Sequence, residues 1–80
     1  MNKTNNSVVP GVYRHFKGGT YCVFVSASHT EIDQELVVYA SMHGDRKLWA
    51  RPVKKFLQTV EVGGEMVPRF SFVRPFRDDE

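Results

Sequence analysis

The sequence predicts a mainly β fold, a single small domain of about five antiparallel strands with one short helical turn. Three observations carry this. Segments rich in aromatic and β-branched residues recur roughly every 8–12 residues, each bounded by Gly, Pro or Asp. The chain has only 80 residues, enough for one core that buries about 60–65% of the unfolded surface. Its composition, 41% hydrophobic and 25% charged, is that of an ordinary globular domain rather than a disordered segment.

Taken in order, residues 1–10 are polar and Asn-rich and are expected to form a flexible arm. Gly11–Lys17 is the first strand, with Val12, Arg14 and Phe16 on one face and Tyr13, His15 and Lys17 on the other. Gly18-Gly19 ends it. Tyr21–Ala27 is apolar on both faces, the pattern of an inner strand covered on two sides. Ser28–Gln34 is a polar loop, and Glu35–Met42 is a second strand of the same kind. His43-Gly44-Asp45-Arg46 supplies a turn, after which Lys47–Arg51 returns antiparallel. Pro52 suits a first helical position, and Val53, Phe56 and Leu57 share one side of a helical turn over 52–58. Thr59–Val62 returns to β, Gly63-Gly64 is a hairpin turn, and Met66–Phe72 is a last strand with Pro68 at an edge or bulge. The domain thus spans 11–74, followed by an acidic tail over 75–80. The spacing fits a small barrel or a sandwich. The expected core is Val23, Val25, Leu36, Val38, Trp49 and Phe56.

Several function classes find no support. No apolar run approaches the roughly 18 residues of a membrane span, so no membrane association is expected. The N-terminus carries no apolar signal region. Cys22, the single cysteine, excludes an internal disulfide and fits a reducing, cytoplasmic setting. The glycine pairs lack the Lys-Ser/Thr of a phosphate loop, and there is neither a paired-Cys zinc pattern nor a Ser nucleophile elbow. The net charge is +2, but without the terminal Asp78, Asp79 and Glu80 there are 11 basic residues against 6 acidic. That mild bias favours the approach of a polyanion.

The motifs GVYRHFKGG (11–19), HTE (29–31), ELVVYASMHGD (35–45), LWARP (48–52) and VPRF (67–70), in that order, resemble the bacterial domain of unknown function family 1653. The resemblance implies one small SH3-like barrel and no assigned activity. His43 departs from the family pattern, which usually has an aromatic or aliphatic residue before Gly-Asp.

The residues with chemical potential are few. His15, His29 and His43 lie 14 positions apart and lack the spacing that presents two metal ligands from one element; no metal or cofactor is expected. His29 and Glu31 can serve as a general base and its orienter, or can brace their loop. Cys22 sits among apolar neighbours, which suits packing rather than a reactive thiol. Arginines stand beside aromatics: Arg14 by Tyr13, Arg51 by Trp49 and Arg69 by Phe70. Such pairs offer a fork for phosphate or carboxylate and a flat stacking face, or else fill the core and tie down loops. The expected site gathers Arg14, His29, Glu31 and Arg51 around one concave face walled by Tyr39 or Trp49. The expected function is a binding module for an anionic ligand: a nucleotide, single-stranded nucleic acid or acidic peptide. The alternatives are a small hydrolase-like enzyme using His29 and Glu31, or an accessory or homodimerising domain with a protein partner. The sequence leaves the oligomeric state open.

Overall fold

Strands form where aromatic and β-branched residues recur, and they stop at glycine turns, at prolines or, after Ser28, at a polar loop. In the computed structural model, which describes residues 8–78, the order is β1 (Gly11–His15), β2 (Thr20–Ser28), β3 (Glu35–Ser41), β4 (Leu48–Pro52), α1 (Val53–Phe56), β5 (Thr59–Val62), β6 (Glu65–Pro68) and β7 (Phe70–Arg74). Five strands pair antiparallel in the order β4-β3-β2-β1-β7, while β5 and β6 form a separate hairpin. The fold is mainly β, as the sequence predicts. The expected arm enters the described residues only from Val8, and the expected acidic tail only as far as Asp78. Val8 packs against the core, and the Tyr13 hydroxyl donates to the Val9 carbonyl at 2.8 Å. Among the described residues no helix is long and apolar enough to cross a membrane.

The predicted last strand is two strands. Pro68 closes the β5–β6 pairing opposite Thr59, and the chain then crosses to the main sheet at Arg69. Arg69 is the joint: its N–H donates to the Gln58 carbonyl and its carbonyl accepts from Phe16 N–H, both at 2.9 Å. The hairpin turns on Gly63 and Gly64 at φ of 57° and 85°, the two consecutive left-handed positions that a tight β-hairpin requires.

The main sheet curls. Flat, it would hold its edge strands β4 and β7 about 19 Å apart, four strand spacings. Instead, the Arg51 guanidinium on β4 lies 5.9 Å from the Phe70 ring on β7. The edges approach without pairing, so no closed barrel forms among the described residues. The concave face holds the core: Tyr13, Val23, Val37, Tyr39, Phe56 and Phe70. Phe56 plugs it from α1, stacked on Phe70 at 4.3 Å with Tyr13 and Tyr39 edge-on at 5.3 and 5.7 Å.

Four of the six residues expected in the core are not buried, three because of register and one because of its edge position. Val23 pairs with Tyr39 but Val25 pairs with Val38, so Phe24 is an extra residue in β2. The bulge reverses the alternation and turns Val25 outward, 51% exposed. On β3 it is Val37 and Tyr39 that face the core, leaving Leu36 and Val38 half-buried on the other face. Trp49 shares the Tyr39 face but sits on edge strand β4, beyond the Phe56 plug, and is 50% exposed. Val23 and Phe56 are buried as expected.

Two stability predictions follow from this packing. Phe56→Ala should cost about 3–5 kcal/mol, read as a shift in the denaturant midpoint, whereas Leu57→Ala, on the same turn but half exposed, should cost under about 1 kcal/mol. Gly11 lies at φ 149°, and a Cβ there would meet the Arg74 carbonyl at 2.6 Å and the Phe72 ring at 2.8 Å. Gly11→Ala should therefore destabilise by about 1–3 kcal/mol, with a matching fall in Tm.

Candidate functional site

The curl leaves an open hollow of about 360 Å³ on the concave face, beside the core. His15, Tyr21, Tyr39, Trp49, Arg51 and Phe70 line it, with Ser41, His43 and Asp45 at its rim. Strand pairing assembles this set. Trp49 lies opposite Tyr39, Arg51 opposite Val37 and His15 opposite Phe70, and directly opposed residues project to one face.

Arg51 is held in place from within. Its Nε donates to the Tyr39 hydroxyl at 3.2 Å, and its guanidinium lies over Phe70. This anchoring leaves the two Nη groups as the fork that engages a phosphate or carboxylate. Trp49 stands beside it with half its surface open, and Lys47 Nζ lies 5.6 Å from its ring.

His15 is packed among Phe16, Phe70 and Tyr21 at 4.7, 4.9 and 6.2 Å. Its Nδ1 accepts the Lys17 N–H at 3.1 Å, a bond that only a ring unprotonated at Nδ1 can make. Burial among the rings, then the Arg69, Lys17 and Arg51 charges, hold its pKa below the ordinary histidine value. The hollow is thus electropositive. His43 Nε2 lies 3.3 Å from Thr20 Oγ1, and Asp45 Oδ1 accepts the Lys47 N–H at 3.3 Å, adding one carboxylate at the rim.

Of the residues singled out by sequence, Tyr39, Trp49 and Arg51 line this hollow and Arg14, His29 and Glu31 do not. Arg14 lies between Tyr13 and His15, so alternation sends it to the other face. It is exposed and borders a separate depression with Val62 and Val67. His29 and Glu31 lie in the loop after Ser28, at the opposite end of the β2–β3 pair from Tyr21 and Ser41, roughly 20 Å along the strands. There His29 Nδ1 accepts the Glu31 N–H at 3.0 Å and the His29 N–H donates to the Gln34 carbonyl at 2.8 Å. That bonding braces the loop. The single grouping of Arg14, His29, Glu31 and Arg51 is therefore not formed. The expected site omits His15, Tyr21, His43, Asp45 and Phe70, although the sequence singles out His15 and His43 as histidines and Phe70 as the neighbour of Arg69. The signal for His15 was present, since it shares a strand face with Tyr13.

A larger hollow, about 420 Å³, lies on the convex face among Cys22, Phe24, Ala40, Met42, Arg46 and Leu48. Its lining is mostly apolar, and charge recognition there would fall to Arg46 alone. Among the described residues no group of three or more His, Cys, Asp or Glu is placed to hold a metal ion.

Comparison with known proteins agrees with the fold and is silent on chemistry. No curated protein matches the chain. The crystal structure of a DUF1653 protein from Bordetella bronchiseptica is similar, with a TM-score of 0.79 and 32% sequence identity over 89% of this chain and 94% of that one. Residues 11–72, most of the chain, match the family described as Protein of unknown function (DUF1653). The chain therefore belongs to the DUF1653 family.

Proposed function

We propose that this protein is a binding module whose concave hollow takes a nucleotide-like ligand, an anionic group joined to a flat ring. One observation carries the reading: Arg51, pinned by Tyr39 and Phe70, stands beside a half-exposed Trp49 in the same hollow. The guanidinium fork would hold the phosphate while the indole stacks on the ring. Pre-anchoring Arg51 lowers the entropy lost when the ligand binds. A hydrolase built on His29 and Glu31 fits less well, because backbone N–H already occupies His29 Nδ1. The reading as an interaction domain draws on the apolar convex hollow, where a protein partner would dock. The single cysteine favours a cytoplasmic setting.

Trp49 is the sole tryptophan, so its fluorescence reports the site directly. Titration with adenosine monophosphate should quench it saturably. Arg51→Ala should weaken binding about 10- to 100-fold, the worth of charge-assisted hydrogen bonds. By calorimetry, Trp49→Ala should weaken it by about 5- to 100-fold through lost stacking, with little change in Tm. Fluorescence that stays flat at millimolar nucleotide, or an Arg51→Ala protein that binds as well as wild type, ends this reading.

His15 adds a pH signature. Its folded pKa is lowered, so the unfolded chain takes up the proton first. Its contribution to stability is complete above the ordinary value of about 6.5 and is lost as pH falls from there through the folded value. A bound anion offsets Arg69, Lys17 and Arg51 and favours the imidazolium, so affinity for a phosphodiester, whose charge is constant in this range, should strengthen with acid. In His15→Phe, stability should fall less between about pH 7.5 and 5 than in wild type. Equal slopes would show that His15 titrates unperturbed.

A further inference from the structure

Resting on that reading, we infer that the ligand is a single-stranded nucleic acid laid across the strands, not a free nucleotide. The hollow is the middle of a longer row. Three cations lie over three rings: Lys17 over Phe16 at 5.8 Å, Arg51 over Phe70 at 5.9 Å and Lys47 over Trp49 at 5.6 Å. Ring contacts join them. Phe16 meets His15 at 4.7 Å, His15 meets Phe70 at 4.9 Å, Phe70 meets Tyr39 at 5.7 Å, and Tyr39 lies opposite Trp49. Ring contacts thus run from Phe16 at the β1–β2 turn to Tyr39, with His15 shared between the hollow and the depression beside Arg14, and strand pairing sets Trp49 next to Tyr39.

A mononucleotide engages only Arg51 and Trp49. It leaves Lys17 and Phe16 unused at one end and Lys47 at the other, although Lys17 and Lys47 are both exposed. Phe70 and Tyr39 are core rings, so the faces open to a base are half-buried Phe16 at one end and half-exposed Trp49 at the other; with Lys17, Arg51 and Lys47 along the same line, they suit a strand whose bases stack at the two ends and whose phosphates meet the charges. An acidic peptide would satisfy the cations and leave the open faces of Phe16 and Trp49 bare. Arg69, Lys17 and Arg51 all act on His15, so their fields overlap along the row, and the Asp45 carboxylate stands only at the Lys47 end. Stacking reads no base edge, so recognition should be tolerant of sequence.

The test is Trp49 quenching by adenosine monophosphate, an adenylate trimer and an adenylate hexamer. The hexamer should bind more than about tenfold tighter than the monomer, a gain beyond its sixfold statistical advantage in registers. With about three phosphates engaged, log affinity should fall with log salt at a slope near −2, against about −0.7 for one contact. Lys17→Ala, which keeps the backbone N–H that caps His15, should weaken the hexamer about 3- to 10-fold and the monophosphate, which feels that charge only at a distance, less than about twofold. A hexamer no tighter than the monomer after the register correction, or a Lys17→Ala protein that binds the hexamer normally, overturns this inference while the nucleotide site stands. Failure of both ligands to bind removes the site as well. A hexaglutamate peptide that binds more tightly than the hexamer would also overturn it, assigning the row to an acidic chain.

Discussion

The stack of Phe56 on Phe70 joins parts of the chain that strand pairing cannot. Phe56 comes from a helix of four residues, far too short to persist by itself. Phe70 comes from edge strand β7, across the sheet from the strand that leads into that helix. With their planes only 8° apart and two tyrosine rings set edge-on, the pair fills the concave face. Without it, the inner face of a five-stranded sheet would be open to water, and nothing would draw β7 toward β4. The curl, the approach of Arg51 to Phe70 and the hollow beside them all depend on this contact.

The core and the proposed site share residues, and tyrosine chemistry explains how. A buried phenol ring contributes apolar area, but its hydroxyl needs a partner. Tyr13 and Tyr39 are both about 6% exposed, and each sends its hydroxyl outward. Tyr13 ties down the chain before β1 through the Val9 carbonyl, and Tyr39 meets Arg51 Nε. The second bond satisfies a buried polar group and orients a guanidinium in one step. A residue that looks like packing in the sequence thus positions the charge that the proposed ligand would meet.

What was legible in the sequence was local. The strands and their turns follow from side-chain type and glycine placement, and Trp49 and Arg51, two apart on one strand, were bound to share a face. The bulge at Phe24 was hidden because the residues around it, Tyr21–Val25, are apolar throughout, so no polar residue marks the change of parity there. The division at Arg69 was hidden because it rests on hydrogen bonds to Gln58 and Phe16, which are distant in sequence. The same limit explains the site. Grouping His15 with Arg51 requires the β1–β7 pairing and the curl, whereas His29 and Glu31 looked close only because the end of the sheet from which their loop emerges is a matter of register.

Small domains have little stability to spare, about 5–15 kcal/mol for most, which gives weight to the features here that do not favour folding. A Trp49 left half open forgoes roughly 100 Å² of burial, about 2.5 kcal/mol. Gathering Lys17, Arg51 and Arg69 around a ring already desolvated by its neighbours adds repulsion whenever His15 is protonated. The buried Arg69 Nε has no hydrogen-bond partner, a further cost of the kind that native folds usually avoid. The first two features lie at the concave hollow, and an anion bearing a flat ring would relieve both at once, covering the indole and neutralising the cations. What weakens the free protein at this face would then strengthen the proposed complex, since binding stabilises the folded state by mass action.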